Sequence, residues 1–239
     1  MENGKLGIIH YPFSFPVKFL IYIIHFPLNR MFLPKIYPIT DTRITKLSHT
    51  EQVKRLIDGG AKFVQLREKY ASPKEFYEQA KEALEITRKN DVKIIINDRV
   101  DIALALKADG VHLGQDDLPP ERARKILGEK AIIGFSIHNL KQAVEAVKLP
   151  IDYLAIGPVF ATKTKVKPDK IVGIEGVKIV REAVGNFPLV AIGGITLQNF
   201  REVLDAGANS AAIISDLLSE PDSITKKMKE IMLSHLHFF

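Results

Sequence analysis

The chain has 239 residues, with 34 lysines and arginines against 28 acidic residues, a net charge of +6 at pH 7 and a pI near 9.3. Apolar residues make up 46% and charged ones 26%, which excludes a disordered or fibrous chain and allows one sizeable α/β core. The basic residues are spread along the sequence, which argues against a nucleic-acid arm. The absence of cysteine excludes disulfides, Cys-based zinc sites and a thiol nucleophile, and suits a reducing cytoplasm.

Residues 1–30 differ in composition from the rest. They hold six of the nineteen aromatics, three prolines and four formal charges. The apolar stretch from Phe13 to Pro27 is interrupted by Pro16, Lys18 and His25. It therefore lacks the run of about 20 apolar residues that a stable membrane span needs. Lys18 before Phe19–Ile24 is a weak signal-peptide pattern with no Ala-x-Ala-like site after it. Met31 stands before a clean strand, so translation is expected either to begin there or to add an aromatic-rich extension for an interface or partner. Mass spectrometry of the native amino terminus separates the two, because a peptide containing Phe13 excludes a start at Met31.

From Met31 to Phe239 short apolar runs alternate with helical patterns. Strands are expected over Lys35–Asp41, Phe63–Lys69, Lys93–Arg99, Gly110–Gly114, Ala131–His138, Ile151–Phe160, Pro188–Thr196 and Ser210–Leu218. Their β-branched residues, such as Ile94, Ile95 and Ile96, favour strand over buried helix. Helices are expected over Thr50–Asp58, Pro73–Lys89, Pro120–Leu127, Leu140–Val147, Gly176–Val184, Leu197–Ala206 and Ser223–Leu233. Ser72, Pro73 and Glu75 read as a capping box with proline at the first helical position. Gly59-Gly60 and Gly207 read as helix stops. Strands without polar alternation are buried on both faces, so the sheet is parallel. Eight such units close most economically into a single-domain TIM (β/α)₈ barrel. Pro38–Asp41 lacks the glycine-rich turn of an open dinucleotide-binding sheet.

Function in such a barrel lies at the C-terminal ends of the strands. In the second run, alternation places Gln65, Arg67 and Lys69 on one face. Two cations there call either for neighbouring acids or for an anionic ligand. Asn97 and Asp98 end the third run, and Gln115, Asp116 and Asp117 follow the fourth. Adjacent strands lie about 4.8 Å apart, so Asp98 and Asp117 can approach one point and, with substrate phosphates, hold Mg²⁺. The alternative is that Asp98 and Asp116 cap the following helices. Thr162, Lys163, Thr164 and Lys165 follow the sixth run as an anion cradle, and Gly193-Gly194 and Ile214-Ser215 end the last two, where this fold usually holds phosphate. His112 reads as a core residue; His138 is either a base or a wall. The pattern suits a diphosphate-bearing and a monophosphate-bearing substrate.

QLREK (Gln65–Lys69), Asn97-Asp98-Arg99, GVHLGQDD (Gly110–Asp117), GFSIH (Gly134–His138), GPVFATKTK (Gly157–Lys165), AIGGIT (Ala191–Thr196) and Ile214-Ser215 occur in an order and spacing that resemble thiamine-phosphate synthases. The resemblance covers Ile36 to the end. It implies a transferase that joins 4-amino-5-hydroxymethyl-2-methylpyrimidine diphosphate to hydroxyethylthiazole phosphate, releasing diphosphate by a dissociative route that needs no general base. It further implies that Gln65, Leu66, Arg67, Glu68, Lys69 and Asn97 bind the pyrimidine diphosphate, and that Asp98 and Asp117 hold Mg²⁺. Ser136 and Lys165 would contact the pyrimidine substrate, with Arg67, Lys69, Lys165 and Ser136 as the catalytic set. Thr162, Lys163, Thr164, Gly194, Ile214 and Ser215 would serve the thiazole phosphate. Lys163, and Asp216 beside the phosphate site, depart from the family pattern. A thiazole tautomerase of the same barrel, or a non-catalytic thiamine-phosphate-binding regulator, is the rival reading. The expected partners are small molecules, with no nucleic acid and no stable membrane insertion; a homo-oligomer stays open.

Overall fold

The computed structural model describes residues 33–162 and 169–236. Eight parallel strands close in sequence order into a barrel: β1 (Ile36–Thr40), β2 (Phe63–Leu66), β3 (Lys93–Asn97), β4 (Gly110–Leu113), β5 (Ile132–Ile137), β6 (Tyr153–Ile156), β7 (Leu189–Ile192) and β8 (Ser210–Ile213). The helices are α1 (Thr42–Thr45), α2 (His49–Asp58), α3 (Pro73–Lys89), α4 (Val100–Leu106), α5 (Pro120–Leu127), α6 (Leu140–Ala146), α7 (Gly173–Val184), α8 (Phe200–Asp205), α9 (Ser215–Leu218) and α10 (Ile224–Leu236). This is the expected TIM barrel. Whether residues 1–30 are an extension lies outside the described residues.

The two-residue period of a strand divides each one between two cores. Ile36, Val64, Leu66, Ile94, Ile96, Val111 and Leu113 face outward and pack under the helices. Tyr37, Ile39, Phe63, Ile95, Tyr153, Ala155, Val190 and Ala212 fill the interior. Each large side chain withdrawn from water in this way contributes roughly 1.5–3 kcal/mol. Register carries the inner parity round the barrel: Gln65 pairs with Ile95, Asn97 with His112, His112 with Gly134, and Ser136 with Ala155.

Helix α3 begins as expected: Ser72 and Glu75 form a complete capping box, with Pro73 in the first turn. A second box, Ser48 with Glu51, starts α2. Several strands are shorter than the apolar runs that mark them. β2 stops at Leu66 and β6 at Ile156, ahead of Gly157-Pro158. Residues 215–218, read as the end of the last strand, form α9. Helix α4 has no start signal: its N-cap is Arg99, with no side-chain cap bond. Its buried Val100, Ile102, Ala103 and Leu106 nevertheless make one apolar face.

Candidate active site

A cavity of about 510 Å³ opens at the C-terminal ends of the strands. Its floor continues the inner parity of β2–β5, from Gln65 and Asn97 to His112 and Ser136. At the rim, Arg67 and Lys69 follow β2 on the same parity, as the alternation predicts. Neither is left without a counter-charge: Arg67 is ion-paired with Asp41, and Lys69 with Asp98. Their partners are thus aspartates from the ends of β1 and β3 rather than glutamates within the barrel. Asp41, which the sequence reading did not single out, also caps α1 by accepting from Arg43 N at 3.0 Å. Its position just past β1 was the available signal.

Asp98 has φ 63°, a left-handed conformation that aspartate tolerates better than most residues and that often marks a functional turn. Burial pushes its carboxyl above the usual aspartate range, the Lys69 ammonium pulls it back, and the facing Asp117 adds to the rise. Asp117 accepts from Gly114 N at 2.6 Å. The expected approach of Asp98 and Asp117 is therefore present. The capping alternative is not: α5 has Pro119 at its N-cap, and neither α4 nor α5 has a side-chain cap bond. Asn97 Nδ2 is buried without a hydrogen-bond partner, although Asn97 lines the cavity. A buried donor left unpaired is costly, so it is ready for a ligand acceptor.

Two members of QLREK face elsewhere. Leu66 is fully buried in the outer core. Glu68 points across to α1 and α2: its Oε2 accepts from Thr42 Oγ at 2.8 Å and lies 3.4 Å from His49 Nε2. Its Oε1 accepts from Lys69 N, Tyr70 N and Ala71 N at 2.8–3.1 Å. The His49 bond, with these backbone donors, holds the carboxyl far below the usual range against the effect of burial. The expectation of ligand contact by Leu66 and Glu68 is corrected by the pleat: positions 66 and 68 have the opposite parity to 65, 67 and 69.

Thr162, Gly193 and Ile214 line the far side of the cavity; Lys163, Thr164 and Lys165 lie outside the described residues. Gly194 and Ser215 are not among the lining residues. Gly194 has φ 65°, and a Cβ there would stand 2.5 Å from Ala161 O. That glycine is therefore required by the close packing of the β6 and β7 loops. Ser215 is exposed at the first turn of α9. The Asp216 carboxylate accepts from Leu197 N at 2.7 Å, so it is directed into the β7–α8 loop. His138 donates from Nδ1 to Gly157 O at 2.6 Å, and its Nε2 lies 3.6 Å from Asp169, which makes it a wall of the cavity. His112 is buried, as expected of a core residue, but its Nε2 also reaches Ser136 Oγ at 2.9 Å.

No helix of the described residues is long and apolar enough to cross a membrane. Fold and cavity together define a (β/α)₈-barrel enzyme whose mouth sets Arg67 and Lys69 against the carboxylates of Asp41 and Asp98. Comparison with known proteins narrows this class. A family model described as thiamine monophosphate synthase matches residues 36–217. The thiamine-phosphate synthase of Clostridium novyi is 47% identical over 79% of this chain and 92% of its own. That of Chloroflexus aurantiacus is 43% identical over 79% and 87%. A solved thiamine phosphate pyrophosphorylase from Pyrococcus furiosus is 40% identical, with a TM-score of 0.76, covering 83% of this chain and 94% of its own. The chain belongs to the thiamine monophosphate synthase family, a family of transferases.

Proposed function

We propose that this chain condenses 4-amino-5-hydroxymethyl-2-methylpyrimidine diphosphate with hydroxyethylthiazole phosphate, giving thiamine phosphate and diphosphate. The observation that carries the reading is the charge arrangement at the rim, two cations and two facing carboxylates beside an unpaired amide donor, in a chain of this family. Arg67, Lys69 and the free Nδ2 of Asn97 supply donors for the diphosphate. Gln65 and Ser136 receive the pyrimidine ring on the cavity floor. Thr162, Lys163, Thr164, Gly194, Ile214 and Ser215 serve the thiazole phosphate.

Asp98 and Asp117 offer hard carboxylate oxygens at one point, a donor set that suits Mg²⁺ completed by phosphate oxygens and water. When bound, that ion supplies positive charge beside the leaving diphosphate. Before substrate arrives, Lys69 occupies Asp98 and Asp41 occupies Arg67, so the cations stay positioned without being left uncompensated. As the C–O bond to the diphosphate breaks, negative charge grows on the leaving group, and Arg67, Lys69 and Lys165 stabilise it. The thiazole nitrogen then bonds to the pyrimidine methylene carbon. It loses no proton in doing so and needs no base, consistent with His138 as a wall.

The test is a condensation assay with the two substrates, in Mg²⁺ and again with chelator. Metal-dependent thiamine phosphate is expected, and Asp98→Asn should lower it at least about 100-fold. Full turnover by that variant excludes the metal assignment. Binding of thiazole phosphate without product excludes the synthase and favours the tautomerase or the regulator.

A further inference from the structure

Beneath the cavity a chain of polar side chains crosses the barrel interior. Gln65 Nε2 donates to Tyr37 Oη at 2.9 Å, Tyr37 Oη lies 3.0 Å from Tyr153 Oη, and Tyr153 Oη lies 3.0 Å from His112 Nδ1. His112 Nε2 lies 2.9 Å from Ser136 Oγ. Five residues from five strands are thus joined by four hydrogen bonds. The three in the middle are buried, Tyr153 completely. The barrel leaves room for the crossing at Gly134: a Cβ there would stand 2.0 Å from Tyr153 Cζ and 2.5 Å from His112 Nδ1.

Such a chain has one direction at a time, because each hydroxyl has a single proton to give. Receiving from Gln65, Tyr37 donates to Tyr153, which donates to His112 Nδ1. With Nδ1 accepting from Tyr153, the imidazole keeps its proton on Nε2 and donates it to Ser136 Oγ. Burial pushes both tyrosines upward, so they remain phenols. At one end, the Gln65 side-chain oxygen is then left as an acceptor; at the other, the Ser136 hydroxyl proton is left as a donor. Reversing the chain exchanges the two.

We propose that Tyr37, Tyr153 and His112 are positioning residues that fix this polarity, so that Gln65 accepts and Ser136 donates, a pattern complementary to an aminopyrimidine and mismatched to an oxopyrimidine. An amino group donates where an oxo group accepts, and the adjacent ring nitrogen accepts where the protonated nitrogen of the oxo form donates. The inference rests on the proposed substrate and explains how the floor would recognise it. A site built to satisfy a particular donor rejects the analogue lacking it because its own buried groups are left unpaired.

Two measurements test it. Nitrogen-15 NMR of the wild-type enzyme, with His112 assigned by its absence from His112→Gln, reads the tautomer directly. Pyridine-type Nδ1 and pyrrole-type Nε2 are expected, and the opposite tautomer overturns the proposed polarity. Second, kcat/KM is compared for the 4-amino and 4-oxo pyrimidine diphosphates. The wild type should prefer the amino substrate by about 100-fold or more. Tyr153→Phe, which cuts the chain at its centre, should reduce that preference about tenfold and leave the KM for thiazole phosphate unchanged. Tyr37→Phe provides the same cut next to Gln65 if the first variant does not fold. An unchanged preference in a folded, active variant, or no preference in the wild type, overturns the inference. Wild type that forms no thiamine phosphate overturns the proposed function instead, while the NMR result still decides the polarity.

Discussion

Replacing Glu68 with glutamine tests whether this residue is a clamp between two loops rather than a ligand contact. The carboxylate accepts from three consecutive backbone N–H groups and from Thr42 Oγ, and it faces His49. Glutamine keeps the shape but removes the charge, and its NH₂ cannot accept. Hydrogen bonds to a charged group contribute about 1.5–3 kcal/mol each, and part of the network survives in the amide, so a net loss of about 2–4 kcal/mol is expected. For a domain of this size that lowers Tm by about 5–15 °C. The pH dependence has a definite sign. The folded-state pKa of Glu68 is depressed below 4.5, so its contribution is complete above that value and is lost as pH falls toward the folded pKa. Each unit below 4.5 removes about 1.4 kcal/mol from the wild type alone. Denaturant unfolding at pH 7, 5, 4 and 3 should show a gap that holds to pH 5 and narrows by about 2 kcal/mol by pH 3. A gap absent at pH 7, or one that widens on acidification, refutes the clamp.

Other substitutions probe the remaining parts of the site. Gly134→Ala places a methyl 2.0 Å from Tyr153 in a barrel with no slack; it should destabilise by about 3 kcal/mol or more, beyond the usual overpacking cost of about 1–3 kcal/mol, and a wild-type unfolding midpoint counts against the packing described. Asp41→Asn leaves Arg67 without its counter-charge and should raise KM for the pyrimidine diphosphate about three- to tenfold by misplacing the guanidinium, with the thiazole phosphate KM unmoved; steady-state kinetics in both substrates decides it. Asp216→Ala deprives Leu197 N of its acceptor and should cost about 1–3 kcal/mol in chemical denaturation with kcat within about twofold, whereas a large gain in thiazole phosphate affinity would mean that the carboxylate repels that ligand after all.

Local periodicity makes much of the molecule legible in the amino-acid sequence. Eight apolar runs separated by helical patterns require a parallel sheet with both faces covered, and Ser72-Pro73 with Glu75 marks the start of α3 to the residue. Alternation within QLREK places Gln65, Arg67 and Lys69 together, and the same rule, applied to its even positions, turns Leu66 and Glu68 away from the cavity. Strand ends are less legible, because an apolar run continues into residues such as Leu217 and Leu218 that α9 buries equally well.

Partner choice is different in kind. Nothing near Arg67 in sequence names Asp41, and nothing near Lys69 names Asp98; barrel closure brings the ends of β1, β2 and β3 side by side. Asp216 reads as a threat to a phosphate until the β7–α8 loop supplies Leu197 N as its donor. The polar chain under the cavity lies furthest from the sequence signal. Tyr37 and Tyr153 are separated by 116 positions, each looks like an ordinary core aromatic within its own strand, and Gly134 looks like an ordinary residue of the fifth strand. The sequence by itself determined which faces are apolar and which strand ends carry charge, since both depend on a period of two. Only the closed barrel decided which of those groups meet, because contact across a barrel depends on the register of all eight strands together.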